Sequence, residues 1–167
     1  MAASSVVKNM CDGSIQFKDG TGTPIVCTVR FDNADFSVDG LKAKLRETNA
    51  YQHRGVLSSV RHTTRTFPTF TMSVSMSEFT SAAANSVSDA ILKNGAFASA
   101  VSTQGANADV YTLDVVITEE GTSFGDAADH TFTLEDCELS MGYAEGDPNT
   151  FSISGTCYGA ITGDLAV

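Results

Sequence analysis

Apolar and polar residues alternate with a period of two along most of this chain, the pattern of strands that bury one face. Ile15 and Phe17 alternate with Ser14, Gln16 and Lys18. After the turn signal Gly20-Thr21-Gly22-Thr23-Pro24, the residues Ile25, Cys27, Val29 and Phe31 alternate with Val26, Thr28 and Arg30, and the two runs predict a hairpin. Phe36 and Val38 predict a short third strand closed by Asp39-Gly40. Alternation is cleanest where Phe70, Met72, Val74 and Met76 interleave with Thr69, Thr71, Ser73 and Ser75, which predicts a strand whose outward face is all hydroxyl. Tyr111, Leu113, Val115 and Ile117 repeat the pattern, with Val110 and Val116 on the opposite face, as in a strand covered on both sides by a helix or a neighbouring subunit. Between His130 and Met141 the phase slips: Phe132 and Leu134 set one parity, Cys137, Leu139 and Met141 the other. A β-bulge is therefore predicted at Glu135-Asp136. Asp147-Pro148-Asn149 reads as a turn and Phe151, Ile153, Gly155 and Cys157 as the final strand.

One helix interrupts the strands. Ser86-x-x-Asp89 resembles a capping box with Asp in place of Glu, Val87, Ala90 and Ile91 line one face, Lys93 sits in the last turn, and Asn94-Gly95 closes it. The helix is expected over 86–94, with a start as early as Ser81. Residues 96–107 are small and polar and read as an exposed loop. The segment from Lys42 to Arg65 fits neither period. It reads either as a long hairpin arm that packs on another molecule or as a loop partly disordered in the monomer, and connections of that length are usually functional.

Charge sharpens this picture. The 167 residues carry a formal net charge of −10, yet all ten basic residues lie at or before Lys93, beside eight acids, while residues 94–167 hold twelve acids and no cation. Six cations fall between Lys42 and Arg65 (Lys42, Lys44, Arg46, Arg54, Arg61 and Arg65) with Glu47 as the one anion. A basic segment joined to an acidic half is the charge layout of a head-to-tail self-binder, and a net negative chain repels the phosphates of DNA and RNA. Length and a 42% hydrophobic content are those of one domain spanning 1–167 with a sizeable core. Met1 to Met10 lack a signal-peptide apolar core and no stretch reaches the roughly 20 apolar residues of a membrane span, so the chain is expected to be soluble, without membrane contact, and made in a cytoplasm.

Candidate chemistry is sparse. The cysteines, at 11, 27, 137 and 157, form no C-x-x-C pair and match no zinc spacing; Cys27, Cys137 and Cys157 fall on inward strand positions and read as free buried thiols acting as small apolar residues, the alternative being a disulfide between two of them, for which the sequence supplies no compartment argument. No nucleophile elbow, P-loop, dinucleotide fingerprint or H-E-x-x-H occurs, and His53, His62 and His130 are isolated. Asp32-Asn33-Ala34-Asp35 and Asp126-Ala127-Ala128-Asp129 are oxygen-rich but lack the EF-hand pattern. No enzyme activity, cofactor or metal is expected.

The order of elements resembles the tail tube protein of long-tailed, siphovirus-type bacteriophages. The likeness covers roughly residues 13–160 and lies in architecture, without a signature motif. It rests on the strand pair around Gly13–Phe17 and Thr28–Phe31, and on the basic loop running into Tyr51-Gln52-His53-Arg54-Gly55. It also rests on the alternating strand Thr69–Met76 leading to one helix, and on the late strands Phe132–Met141 and Thr150–Tyr158 joined by an acidic turn. The first 12 residues make only a short N-terminal arm.

That resemblance implies a mainly β fold, a β-sandwich or half-barrel flanked by one α-helix, with a long loop or hairpin arm at 41–65. It implies six subunits joined edge to edge into rings, the rings stacked into a virion tube that conducts DNA without binding it specifically. Further partners would be a tape-measure protein and the terminator and distal tail proteins. Inter-ring or subunit contact would fall to Lys42, Lys44, Arg46, Tyr51, His53, Arg54, Arg61 and Arg65. Glu119, Glu120, Glu135, Asp136, Glu138, Glu145 and Asp147 are candidates for a negatively charged lumen or acidic outer surface. Alternatives are another tail, neck or head-decoration protein, or a soluble acidic β-sandwich module that binds a protein or sugar.

Overall fold

The computed structural model describes residues 13–30, 34–39, 46–75, 86–122 and 125–164. The N-terminal arm, Lys42, Lys44 and the proposed helix start near Ser81 lie outside these.

Alternation becomes strands nearly everywhere it was expected. Gly13–Lys18 (β1) pairs antiparallel with Val26–Arg30 (β2), Ile15 opposite Val29 and Phe17 opposite Cys27, so the expected hairpin buries one parity of both strands. Then come Ala34–Asp39 (β3), Arg46–His53 (β4), Val56–Arg65 (β5), Thr69–Ser75 (β6), the helix Val87–Leu92 (α1), Leu113–Glu119 (β7), His130–Ala144 (β8), Thr150–Cys157 (β9) and Ile161–Gly163 (β10). The main sheet is antiparallel in the order β2-β1-β7-β8-β9-β6-β3, with β10 added to β8; β4 and β5 form a separate two-stranded sheet. The fold is mainly β, a sandwich-like arrangement with one helix and a hairpin arm. Its two ends share one core: Ile15, Phe17, Cys27 and Val29 from one flank and Phe70, Met72, Val74 and Ile153 from the other belong to a single buried cluster.

β8 makes this possible. Its 15 residues serve two ladders: Glu119↔His130 through Leu113↔Cys137 tie its first half to β7, and Cys137↔Cys157 through Ala144↔Thr150 tie its second half to β9. The change of partner falls on the expected bulge. Leu113 pairs with Cys137 but Val115 with Leu134, so β8 spends an extra residue there. Asp136 takes φ 56°, a left-handed conformation that Asp tolerates better than most residues. The Asp136 N–H donates to Asp114 Oδ1 at 3.0 Å and its carboxylate accepts from Thr103 Oγ1 at 2.8 Å, which holds the kink.

The helix is capped as its sequence foretold, with the Asp89 N–H donating to Ser86 Oγ at 3.1 Å. Lys93 is the C-cap, at φ 56°, one step beyond the last turn in which it was expected. Ala90 is buried, and Val87 and Ile91 pack on the core.

The expectation of an exposed loop at 96–107 is corrected. Gly95–Ser99 is a 3-10 turn that buries Phe97, and Ala100 and Ser102 are also buried. Isolated apolar residues among Ala and Ser carry no periodicity, so the sequence hid this plug. Buried Asp19 anchors it: one carboxylate oxygen accepts from Ile25 N at 2.6 Å and Thr21 Oγ1 at 2.9 Å, the other from Val101 N at 3.1 Å. Among the described residues no helix is long and apolar enough to cross a membrane.

Candidate assembly surface

Four strands carry the most regular polar surface. Because β3, β6, β9 and β8 are in register, positions of the outward parity fall into rows across the sheet: Ser37, Thr71, Ser154 and Ser140 in one, Asp35, Ser73, Ser152 and Gly142 in a second, Asp39, Thr69, Thr156 and Glu138 in a third, and Ser75, Thr150 and Ala144 in a fourth. These rows contain hydroxyls, three carboxylates and no cation. Ser140 Oγ and Ser154 Oγ are 2.7 Å apart, so neighbouring strands bond across the face. The opposite parity, Phe70, Met72, Val74 and Ile153, is buried. The hydroxyl alternation at Thr150, Ser152, Ser154 and Thr156 is as plain in the sequence as that of β6, but a sequence does not say that the two lie side by side.

Among the described strands this four-stranded half has two open flanks. β3 is the terminal strand of the order, and residues 138–144 of β8 pair, among the described strands, with β9 alone. The Cys157 N–H donates to Pro68 O at 2.9 Å, on the β6 side. Adjacent residues of an antiparallel strand turn their backbone groups to opposite sides, so Thr156 and Glu138 form a bonded pair. Leu139, Met141 and Tyr143 then direct their N–H and C=O groups away from β9. Tyr143, 58% exposed, stands at that edge.

Residues 46–65 of the basic segment form a hairpin, the arm shape of the first expectation. Its turn is Arg54-Gly55, at φ 52° and 78°, the two left-handed residues of a type I′ turn. Thr48/His62, Ala50/Val60 and Gln52/Leu57 share one face; Asn49/Arg61, Tyr51/Ser59 and His53/Val56 share the other. Tyr51, Val56, Leu57 and Val60, divided between both faces, are each more than half exposed. Arg46, His53, Arg54, Arg61 and Arg65 are exposed on the same arm. Two register shifts in β5 break its parity, which is why no period was legible there. At the root Arg46 lies opposite Arg65, a like-charge pair. Arg65 Nη2 reaches Gly159 O at 3.4 Å, and its guanidinium lies 4.9 Å from the Phe67 ring centre. Phe67 meets Tyr158 edge to face at 5.0 Å, and Tyr158 OH donates to Glu138 Oε2 at 2.7 Å. That bond to a carboxylate holds the Tyr158 pKa above the phenol range. Phe67 and Tyr158 went unnoticed in the sequence, where nothing links residues so far apart.

The acids expected to share one surface are dispersed. Glu138 is on the hydroxyl face; Glu145 and Asp147 are exposed in the β8–β9 turn; Glu119 ends β7 and half-buried Glu120 follows it; Glu135 and Asp136 are at the bulge. Lacking local cations, the acidic half answers its charge with neutral donors. Asp129 accepts from Gly121 N at 3.1 Å and Thr122 N at 3.3 Å, and these bonds lower its pKa. Glu135 accepts from Thr162 Oγ1 at 3.2 Å. His130 is flanked by Asp126 at 3.0 Å and Asp164 at 3.6 Å. Half-buried Asp114 has a raised pKa, first from desolvation and then from Asp136 and Glu135. Among the described residues no group of three or more His, Cys, Asp or Glu is placed to hold a metal ion. Comparison with protein-family models, characterised proteins and solved structures finds no match to this chain.

Proposed function

We propose that this chain is a phage tail tube subunit, which builds closed rings by lateral sheet pairing and stacks the rings into a conduit for DNA. The observation that carries the reading is the four-stranded half with two open flanks. β3, β6, β9 and β8 alternate in direction, so the β8 edge of one copy laid beside β3 of the next continues the antiparallel order without reversal. A head-to-tail contact of this kind either closes into a ring or runs into a filament, and closure leaves neither of these two flanks open. Since the apolar face is covered by the other half of the fold, the hydroxyl rows become the inner wall. A wall of hydroxyls with Asp35, Asp39 and Glu138 in its rows and no cation stays wet and does not hold phosphate. The arm, with exposed apolar residues on both faces, exposed cations along it and Arg54 at its tip, suits insertion between acidic surfaces of the next ring. The ring number of six, the tape-measure partner and the virion location rest on the resemblance.

Negative-stain electron microscopy across a concentration and salt series tests the proposal, with Tyr143→Pro beside the wild type. Proline removes an outward N–H and leaves the bonded β8–β9 pairs intact. Wild-type protein should give stacked rings with a central channel, and Tyr143→Pro should stay monomeric with an unchanged circular-dichroism spectrum. Wild-type protein that remains monomeric at every concentration, or a proline variant that assembles normally, refutes lateral pairing through this edge.

A further inference from the structure

Cys137 and Cys157 lie directly opposite each other on β8 and β9, and both thiols are buried in the core. Cys157 turns its N–H toward Pro68 and so away from β8. The pair is therefore of the non-hydrogen-bonded kind, with Cα atoms about 4.5 Å apart and side chains on one face. Disulfides span Cα separations of about 4.4–6.8 Å, so no backbone movement is needed to join them. Both thiols reach the bulge: Cys137 Sγ donates to Leu134 O at 3.3 Å and Cys157 Sγ to Glu135 O at 3.2 Å, carbonyls of adjacent residues. The neighbouring thiol and burial raise the Cys137 pKa, and the neighbouring thiol lowers that of Cys157. Cys27 differs: burial, with Asp89 nearby, pushes it up to about 12, and it stays a thiol.

We propose that Cys137 and Cys157 form an oxidisable dithiol that a hydroperoxide, hydrogen peroxide in the simplest case, converts to a cross-strand disulfide. The Cys157 thiolate attacks one peroxide oxygen; the O–O bond breaks, Cys157 becomes a sulfenic acid, and the departing hydroxide takes up the proton released when the thiol ionised. Cys137 sulfur then attacks the sulfenic sulfur, the S–O bond breaks, and water leaves with the Cys137 proton. Two thiols and one peroxide give one disulfide and two waters, the two electrons passing from sulfur to peroxide. The bond staples β9 to β8 beside the bulge, where β8 changes ladders.

The full chain is treated with one equivalent of hydrogen peroxide, alkylated with N-ethylmaleimide in denaturant and mapped by mass spectrometry. Because no basic residue follows Lys93, trypsin leaves both cysteines in one peptide, and cleavage at Glu138, Glu145 or Asp147 then separates them unless a disulfide holds them. The expected result is a Cys137–Cys157 linked pair in most molecules, released by dithiothreitol, and a dimedone adduct at Cys157 in Cys137→Ser. The proposal is overturned if both residues are alkylated after oxidation, if they reach sulfinic acid unlinked, or if either is linked instead to Cys11 or Cys27. The wild-type map decides even if the variant fails to fold.

Discussion

Gly155→Ala should destabilise the monomer by about 0.5–2 kcal/mol, and shortening one neighbour should remove that cost. Gly155 sits on the buried face of β9 between Phe70 of β6 and Leu139 of β8. A Cβ added there would stand 2.5 Å from Phe70 Cζ and 2.9 Å from Leu139 Cδ2. Carbon atoms prefer about 3.5–4.0 Å, so the ring edge must retreat by about 1 Å. Phe70 is only 2% exposed and has little room to do so. Overpacking of this kind costs about 1–3 kcal/mol, and the lower chain entropy of alanine returns about 0.5–1 kcal/mol. Phe70→Leu alone should cost about 1–2 kcal/mol in lost apolar burial. In the double variant the clashing ring atoms are gone and the alanine methyl fills part of their space. The pair should therefore be more stable than the sum of the single changes by about 1 kcal/mol or more. Urea unfolding of the four proteins, with slopes compared as well as midpoints, measures this. Additivity within about 0.5 kcal/mol, or a stabilising Gly155→Ala, would show that Phe70 does not depend on the missing side chain.

Arg54→Glu and Arg61→Glu should each weaken ring stacking, read as fewer and shorter tubes at low salt, while changing monomer stability by no more than about 0.5 kcal/mol, since both side chains are exposed. Equal loss of folded monomer would place them in the fold instead. Asp114 has its folded-state pKa raised by desolvation and by Asp136 and Glu135. Its contribution to stability is therefore present below the ordinary carboxylate range and lost as pH rises through the raised value. Asp114→Asn, which keeps an acceptor for Asp136 N–H, should raise the urea midpoint at neutral pH and leave it unchanged in acid. Asp19→Asn should cost about 1.5–3 kcal/mol in urea unfolding, because an amide has one oxygen where Ile25 N–H and Val101 N–H now use two.

Much of the fold was legible because a strand with one buried face writes its period into the chain, and β1, β2, β6, β7 and β9 all do so. The bulge was legible for the same reason: a slip in phase at Glu135-Asp136 has few other meanings. Phe97 was not, since one aromatic among alanines has no period and its burial depends on Asp19, 78 residues away. β10 was too short to announce itself. In the arm, the absence of period reflected two exposed faces and two register shifts. Charge marked that segment as distinct, but its turn geometry was carried by Arg54-Gly55, where Arg is an uncommon choice for a left-handed position. The hydroxyl face was half visible: each strand's parity could be read, and the adjacency of β6, β9 and β8 could not.

The double duty of β8 also sets a timetable for synthesis. Until about residue 120 has left the ribosome, β1 and β2, β3 and β6, and the arm can form only local or short-range pairs. β7 then has a partner in β1 but still presents its other edge. β6, in turn, waits for β9. Neither half of the core can close before the last quarter of the chain appears. Apolar strands must spend most of translation uncovered, and pairing across such sequence distances is slow once it begins. Nascent chains stalled before His130 should accordingly be bound by holding chaperones, and chains stalled beyond Cys157 should be released.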